Sequence, residues 1–418
     1  MNILEELGWR GLIADCTDRP ELTRKVSAPL TLYCGFDPTA DSLHVGNLVP
    51  LLCLRRFQLF GHHPIAVAGG ATGSIGDPSG KTQERQLLTK DVLASNIDGV
   101  KAQLAKLLDF ETRQNPARLM DNAAWTEDIS FLDFLRDVGK YFSVNQMAAK
   151  ESVRSRMEDR ETGISYTEFS YMLLQAFDFF VLSRDADCQL QIGGSDQWGN
   201  ITAGIDLCRK KLGKTVQGLT VPLILNADGA KFGKTEAGAV WLDPKKTSEK
   251  DFFQFWMHTD DRDVERYLKF FTFLTEAEIA GIILSHSEAP DRRVAQQALA
   301  KALTTLAHGP DIARREAEAV DAYTGKISGR ELLNHFPTKA FPRKNLDGAG
   351  VSLVELLVHA GLAGSKSQAR QLIAGGGIEV NGRRVNDLNC KVTDADICYE
   401  KFVQLQKGKK THVLIVPI

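Results

Sequence analysis

The sequence predicts an α/β fold: a Rossmann-like, doubly wound parallel sheet, followed by an α-helical domain and a small α+β domain. Three observations carry this. Short apolar, β-branched runs alternate with helical patterns through residues 1–246, the pattern of βαβ units. Residues 247–323 show aromatic and leucine spacing of helical type, as in Phe252-Phe-Gln-Phe-Trp256 and Tyr267-Leu-Lys-Phe-Phe-Thr-Phe-Leu274. Residues 351–418 combine two short helical patterns with an Asn-Gly hairpin signal. Between the last two, 324–350 carries Gly325, Gly329, Pro337, Pro342, Gly348 and Gly350 among basic residues, which is linker composition.

In chain order, the candidate strands of the first domain are 30–35, 64–69, 118–120, 188–192 and 219–225, each followed by a Gly- or Asp-bearing loop. In an open α/β sheet, ligands bind beyond the carboxyl ends of the strands. His44, the run Gly69-Gly-Ala-Thr-Gly-Ser-Ile-Gly-Asp77, the run Gly193-Gly-Ser-Asp-Gln197 and the loop at Lys231 all occupy such positions. The apolar stretch 48–60 reads as a helix, which puts His44-Val-Gly-Asn47 at its N-terminus. There, unpaired N–H groups and the positive dipole end attract phosphate, and Gly46 is expected to let a nucleotide approach the backbone. In the last domain, helices are expected over 352–360 and 365–374, the second capped by Ser365. Asn381-Gly382 is the expected turn of a hairpin.

Composition excludes several classes. A hydrophobic fraction of 43% and a charged fraction of 25% are those of a globular chain. The formal net charge of -2 means that any nucleic-acid surface is local. Seven scattered cysteines without C-x-x-C or zinc-type spacing point to reduced thiols and a cytoplasmic location. The acidic start, Met1-Asn-Ile-Leu-Glu-Glu, argues against a signal peptide, and no apolar run reaches membrane-spanning length.

Three features carry chemistry. Lys231-Phe-Gly-Lys234-Thr235 lies in a Gly-rich polar loop, where two ammonium groups can close over a polyphosphate and stabilise departing charge. The segment 168–182 is apolar around most of a helix, yet Tyr171, Gln175 and Asp178 share one face. Burying such groups unpaired costs roughly 1–3 kcal/mol each, so either a ligand or an internal network must complete them. Basic residues gather at Lys150, Arg154, Arg156 and Arg160, and again at Lys366, Arg370, Arg383 and Arg384. The first group is a solvated face or a polyanion surface; the second, a basic helix beside a tight hairpin, suits RNA or is a solvated hairpin that carries arginines by chance.

These motifs resemble the class I aminoacyl-tRNA synthetases and, within them, the bacterial-type tyrosyl-tRNA synthetases. His44-Val-Gly-Asn47 is similar to the HIGH signature with Asn in place of its last His, and Lys231-Phe-Gly-Lys234-Thr235 to the KMSKS loop. Tyr33-Cys-Gly-Phe-Asp-Pro-Thr39, Gly69-Gly-Ala-Thr-Gly73, Gly76-Asp-Pro78 and Gln191-Ile-Gly-Gly-Ser-Asp-Gln-Trp-Gly-Asn200 match as well. The C-terminal segment is similar to an RNA-binding module of a small-subunit ribosomal protein. The resemblance implies activation of tyrosine by ATP and transfer to the terminal ribose of tRNA(Tyr). It implies that Tyr33 and Asp178 bind the phenol, that Asp77, Tyr171 and Gln175 bind the ammonium, and that Gln197 orients the carboxylate. Cys34, Gly35, Asp37, Gly194 and Asp196 would line the nucleotide, with Gly46 and Asn47 in the ATP signature. Thr39, His44, Lys231, Lys234 and Thr235 would stabilise the departing pyrophosphate. Candidate tRNA contacts are Arg154, Arg209, Lys210, Lys366, Arg370, Arg383 and Arg384. The resemblance also implies a homodimer. Mg2+ is expected to arrive with ATP, and no protein-bound metal or organic cofactor is expected.

Three rival readings stand beside this one. Gly80-Lys81-Thr82 and Gly233-Lys234-Thr235 end like a Walker A motif, but the glycine it requires is Ile75 in one case and Asp228 in the other. A synthetase-like chain that only binds RNA would not need the residues assigned to chemistry. A tryptophanyl enzyme would not need Tyr33 and Asp178 for a phenol.

Overall fold

The computed structural model describes residues 1–79, 88–158, 163–229, 232–235, 238–323, 329–408 and 411–418, and the chain divides into two compact units, Met1–Ala313 and Arg314–Ile418. In the first unit, strands β1 (Asp15–Cys16), β2 (Thr31–Phe36), β3 (His63–Ala68), β4 (Arg118–Asp121), β5 (Cys188–Gly194) and β6 (Gln217–Val221) form one sheet in the order β1-β6-β5-β2-β3-β4. All neighbours are parallel except the edge pair β1 and β6. The chain runs outward from β2 through β3 to β4, then returns to the other side of β2 with β5 and β6. The order therefore reverses between β2 and β5, where Tyr33 pairs with Gln191, and such a switch point opens a crevice at the carboxyl ends. The strand expected over 219–225 stops at Val221, because Pro222 has no N–H to give to a ladder.

Helices pack on this sheet. We label α1 (Leu48–Leu59), α2 (Lys90–Leu107), α3 (Tyr166–Asp185), α4 (Trp198–Leu212), α5 (Glu249–Met257), α6 (Asp261–Phe271) and α7 (Val294–His308). Ser165 caps α3 by accepting from the N–H of Glu168, and α3 is buried on most sides, as its apolar circumference requires. α5, α6 and α7 belong to the same compact unit as the sheet, with Phe252, Phe253, Trp256, Phe271 and Leu299 fully buried. The C-terminal carbonyls of α6 are held by two buried arginines: Arg10 bonds Lys269 O and Thr272 O, and Arg56, on α1, bonds Phe270 O and Thr272 O. Burial lowers the pKa of Arg56 to about 9, and its attachment ties α1 to the end of α6.

In the second unit, β9 (Thr338–Phe341), β10 (Ile378–Val380), β11 (Arg383–Arg384), β12 (Val403–Lys407) and β13 (Thr411–Pro417) form a sheet in the order β11-β10-β12-β13-β9. It packs with α8 (Leu353–His359) and α9 (Lys366–Ala374) around Leu353, Leu357, Ile373, Ile378 and Leu405. Ser365 accepts from Gln368 N, as its capping position predicts. Asn381 and Gly382 take positive φ of 51° and 76°, the two left-handed positions of the hairpin turn. β9 lies inside the stretch whose composition suggested a linker. Pro337 and Pro342 bracket it without entering it, so their missing N–H groups cost the ladder nothing.

Candidate active site

β2 delivers Tyr33, Cys34 and Gly35 to the crevice, and the loop after it carries Asp37, Thr39 and His44. His44 caps a turn, Val45–Asn47, that runs directly into α1. Its Nδ1 accepts from Gly46 N at 3.1 Å, which leaves the ring proton on Nε2 as the donor. Asn47 Oδ1 in turn accepts from His44 N at 3.0 Å, so the substituted signature residue closes a reciprocal cap. A Cβ at Gly46 would stand 2.9 Å from His44 Cε1, so the missing side chain also makes room for the imidazole.

The His44 segment pairs through the backbone with residues 240–242, which follow the lysine-bearing loop. Val45 N donates to Val240 O, Leu242 N to Leu43 O, and His44 bridges Trp241, whose ring meets the imidazole edge-on at 5.9 Å. Lys234–Thr235 (β7) and Gly238–Ala239 (β8) pair antiparallel, with only the backbone described at 234 and 235; Lys231, Arg160 and the triplet at Gly80 lie outside the described residues.

α3 presents Tyr171, Gln175 and Asp178 toward the crevice, and each has a protein partner. Tyr171 Oη donates to Asp37 Oδ2 at 2.7 Å, and Gln175 Oε1 accepts from Asn200 at 3.0 Å. Asp178, fully buried, accepts from Asn122 Nδ2 at 3.0 Å and from the Trp125 indole at 2.8 Å. Asn122 also bonds Thr72, which donates to Asp37 Oδ1, so one network runs from Asp178 to Tyr171. A second network joins Asp77 to Gln197 at 2.6 Å, with Asn200 and the Ser79 N–H alongside. Gly194 ends β5 beside Asp196, which lies within reach of Gln197.

The internal network thus accounts for the buried polar face of α3. What it leaves unpaired is the hydroxyl of Tyr33, which is 1% exposed and has no hydrogen-bond partner among the described residues. Its neighbour across the ladder, Gln191, has an equally unpaired Oε1. Burial raises the Tyr33 pKa well above its ordinary value, and the charge of Asp178 adds to that rise. Burial also raises Asp178, to about 7, against the opposing hydrogen bonds from Asn122 and Trp125. A buried donor without a partner, near a buried carboxylate that can accept one bond more than those from Asn122 and Trp125, suits a hydroxyl group.

The sequence reading passed over Asn122, Trp125 and Thr72 as site residues. The first two directly follow β4, so the rule that loops after strands carry chemistry pointed to them. Among the candidate tRNA residues, Arg154 is exposed and paired with Glu151, and Arg209 and Lys210 are exposed and share Asp206. Lys366, Arg370, Arg383 and Arg384 are exposed on α9 and β11. Arg156, grouped with the first set, is instead buried in a bidentate pair with Glu168 at 2.9 and 2.8 Å and offers nothing to a polyanion.

The family model described as tRNA synthetases class I (W and Y) matches residues 25–324, and the chain is a member of that class. A second model, the tyrosine-tRNA ligase SYY-like C-terminal domain, matches residues 331–415. The chain is 55% identical to a tyrosine-tRNA ligase of Opitutus terrae and 51% identical to one of Bacillus caldotenax, each over 99% of both chains. A C-terminally truncated mitochondrial tyrosyl-tRNA synthetase of Aspergillus nidulans superposes with a TM-score of 0.69 at 34% identity, covering 76% of this chain and 92% of that one. The chain belongs to the tyrosine-tRNA ligases.

Proposed function

We propose that the crevice between β2 and β5 activates L-tyrosine with ATP and then passes the tyrosyl group to the 3'-terminal ribose of tRNA(Tyr). The observation that carries this reading is the unpaired, buried Tyr33 hydroxyl beside Asp178. The phenol of tyrosine accepts from Tyr33 and donates to Asp178. Phenylalanine would leave the Tyr33 hydroxyl unpaired, at roughly 1–3 kcal/mol, and would give Asp178 no donor beyond Asn122 and Trp125. Asp77, Tyr171 and Gln175 hold the ammonium, and Gln197, already fixed on Asp77, orients the carboxylate.

A carboxylate is ionised at neutral pH and needs no base to attack the α-phosphorus. Catalysis is therefore positioning and charge stabilisation. Cys34, Gly35, Asp37, Gly194 and Asp196 line the nucleotide. His44 donates from Nε2 toward the phosphates with Gly46, Asn47 and Thr39 beside it, while Lys231, Lys234 and Thr235 follow the charge of the departing pyrophosphate. Mg2+ enters as part of the ATP substrate. In the second step a ribose hydroxyl attacks the activated carbonyl carbon and AMP leaves. The exposed bases Arg154, Arg209, Lys210, Lys366, Arg370, Arg383 and Arg384 receive the tRNA backbone.

We assign the working form as a cytoplasmic homodimer. Phe131 and Leu132, adjacent in sequence and 66% and 75% exposed, make an apolar patch that a second copy would cover. Sedimentation of Leu132→Glu against the parent chain tests this, and an unchanged dimer would discard the patch. The function itself is tested by ATP-pyrophosphate exchange with a panel of amino acids. Exchange with tyrosine alone is expected, with a severe loss in Asp178→Ala. Exchange driven by tryptophan, or none with intact RNA binding, would overturn it.

A further inference from the structure

Residues 225–228, which lead into the lysine-bearing loop, are gripped one after another by α6. Arg266 donates to Leu225 O at 2.7 Å and the Tyr267 hydroxyl to Asn226 Oδ1 at 3.0 Å. Asp263 accepts from Ala227 N at 2.8 Å, and Arg262 donates to Asp228 at 2.9 Å. Positions 262, 263, 266 and 267 share one face of the helix, so a single rigid element reads four successive loop residues. Phe232 then places its ring among four others on α5 and α6: Phe255 at 5.6 Å, Trp256 at 5.6 Å, Tyr267 at 4.9 Å and Phe271 at 5.2 Å between centroids. Trp256 and Phe271 are fully buried, so this ring cage is part of the packed core. Past the cage, Gly233 rests on Val45 and its carbonyl accepts from Val240 N.

Phe232 stands between Lys231 and Lys234, and so between the two cations assigned to the phosphates. We propose that Phe232 is a positioning residue for adenylate formation: its ring, clamped by α5 and α6, fixes the backbone at Gly233 and Lys234, from which Lys234 acts on the phosphates. A cavity of about 650 Å³ opens beside it, lined in part by Asn226, Trp241, Phe255 and Tyr267, so a loop without the ring has room to depart. Tyrosine binding lies on β2, β5 and α3 and does not depend on this anchor. The inference rests on the reading that Lys231 and Lys234 act on the phosphates.

The test is Phe232→Ala, Phe232→Leu, Lys234→Ala and the double variant Phe232→Ala/Lys234→Ala, assayed for kcat of ATP-pyrophosphate exchange, tyrosine Kd by equilibrium dialysis, and thermal midpoint. Phe232→Ala should lower kcat on the order of 100-fold, the scale of an angstrom-sized misplacement, with tyrosine Kd unchanged. Phe232→Leu should recover most of that loss, and the double variant should be no worse than Lys234→Ala. The anchor falls if Phe232→Ala keeps near-normal kcat while Lys234→Ala is impaired. It also falls if the two losses multiply, or if the loss of kcat is accompanied by a rise in tyrosine Kd and a fall in thermal midpoint. If Lys234→Ala itself is unimpaired, the phosphate reading fails first and the anchor with it.

Discussion

Gly233 lies so close to Val45 that a Cβ on it would stand 2.7 Å from Val45 Cγ2. Its φ of +78° belongs to the left-handed region, so a side chain there meets both a steric and a backbone cost. This contact joins the lysine-bearing loop to the turn that carries His44. Gly233→Ala should therefore reduce kcat of adenylate formation by roughly 10- to 100-fold while tyrosine affinity stays constant. Adding Val45→Ala should return part of the loss by removing Cγ2, though not the backbone strain. Full activity in Gly233→Ala, measured by pyrophosphate exchange, would refute the contact's importance.

The sheet and its switch point were legible because buried parallel strands write themselves as apolar runs, and 30–35, 64–69 and 188–192 were each displaced by no more than two residues at an end. The hairpin at Asn381-Gly382 was legible because two positive φ angles restrict the residue choice. Pairings between distant residues were not. Nothing local to Arg156 says that Glu168 awaits it, so a buried arginine reads like its exposed neighbour Arg154. Asn122 and Trp125 lie more than fifty residues from Asp178 in the chain and meet it only in the fold. Nothing local to Gly46 says that the ring of His44 folds back over it, where a Cβ would stand 2.9 Å from Cε1.

Asp178 makes the unliganded enzyme pH-sensitive. Burial raises its pKa to about 7, above the ordinary carboxylate value of roughly 3.9. Between those limits the native state holds a proton that the unfolded chain has lost. The stability this contributes is complete below the ordinary value and disappears as pH rises through about 7. Thermal midpoints across this range should fall less steeply with pH in Asp178→Asn than in the parent. Superimposable slopes would remove Asp178 as the cause.

The Trp125 indole donates to the ionised carboxylate and so opposes the rise. Trp125→Phe keeps the bulk of the ring and loses this bond, so the Asp178 pKa should climb further. Tyrosine binding, whose phenol donates to the ionised form, should strengthen with pH across the titration, by at most about tenfold per unit. The midpoint of that profile should move to higher pH in Trp125→Phe. A profile that weakens in parallel at every pH, without moving, would show that the indole does not tune the carboxylate.

Arg383 and Arg384 are exposed on β11, the edge strand of its sheet, where phosphate contacts lose affinity as salt rises. Replacing both by Gln should weaken tRNA binding and reduce the dependence of log K on log salt by about 1 to 2. Tyrosine-dependent exchange, which needs no tRNA, should be untouched. An unchanged salt slope in filter binding would take these two arginines off the RNA surface.

Arg156 and Glu168 form a bidentate pair whose side chains are 5% and 3% exposed, and Glu168 begins the helix that carries Tyr171, Gln175 and Asp178. Removing one member strands a buried charge, which typically costs about 3–5 kcal/mol, whereas replacing both with apolar side chains can be near neutral. Arg156→Met should thus lower denaturant stability by that order, and Arg156→Met/Glu168→Leu should recover most of it. Tyrosine affinity per folded molecule should hold in the double variant, because neither group touches the network around Asp178. If Arg156→Met proves as stable as the parent in urea while losing tRNA affinity, the arginine belongs to a polyanion surface and the buried pair does not form.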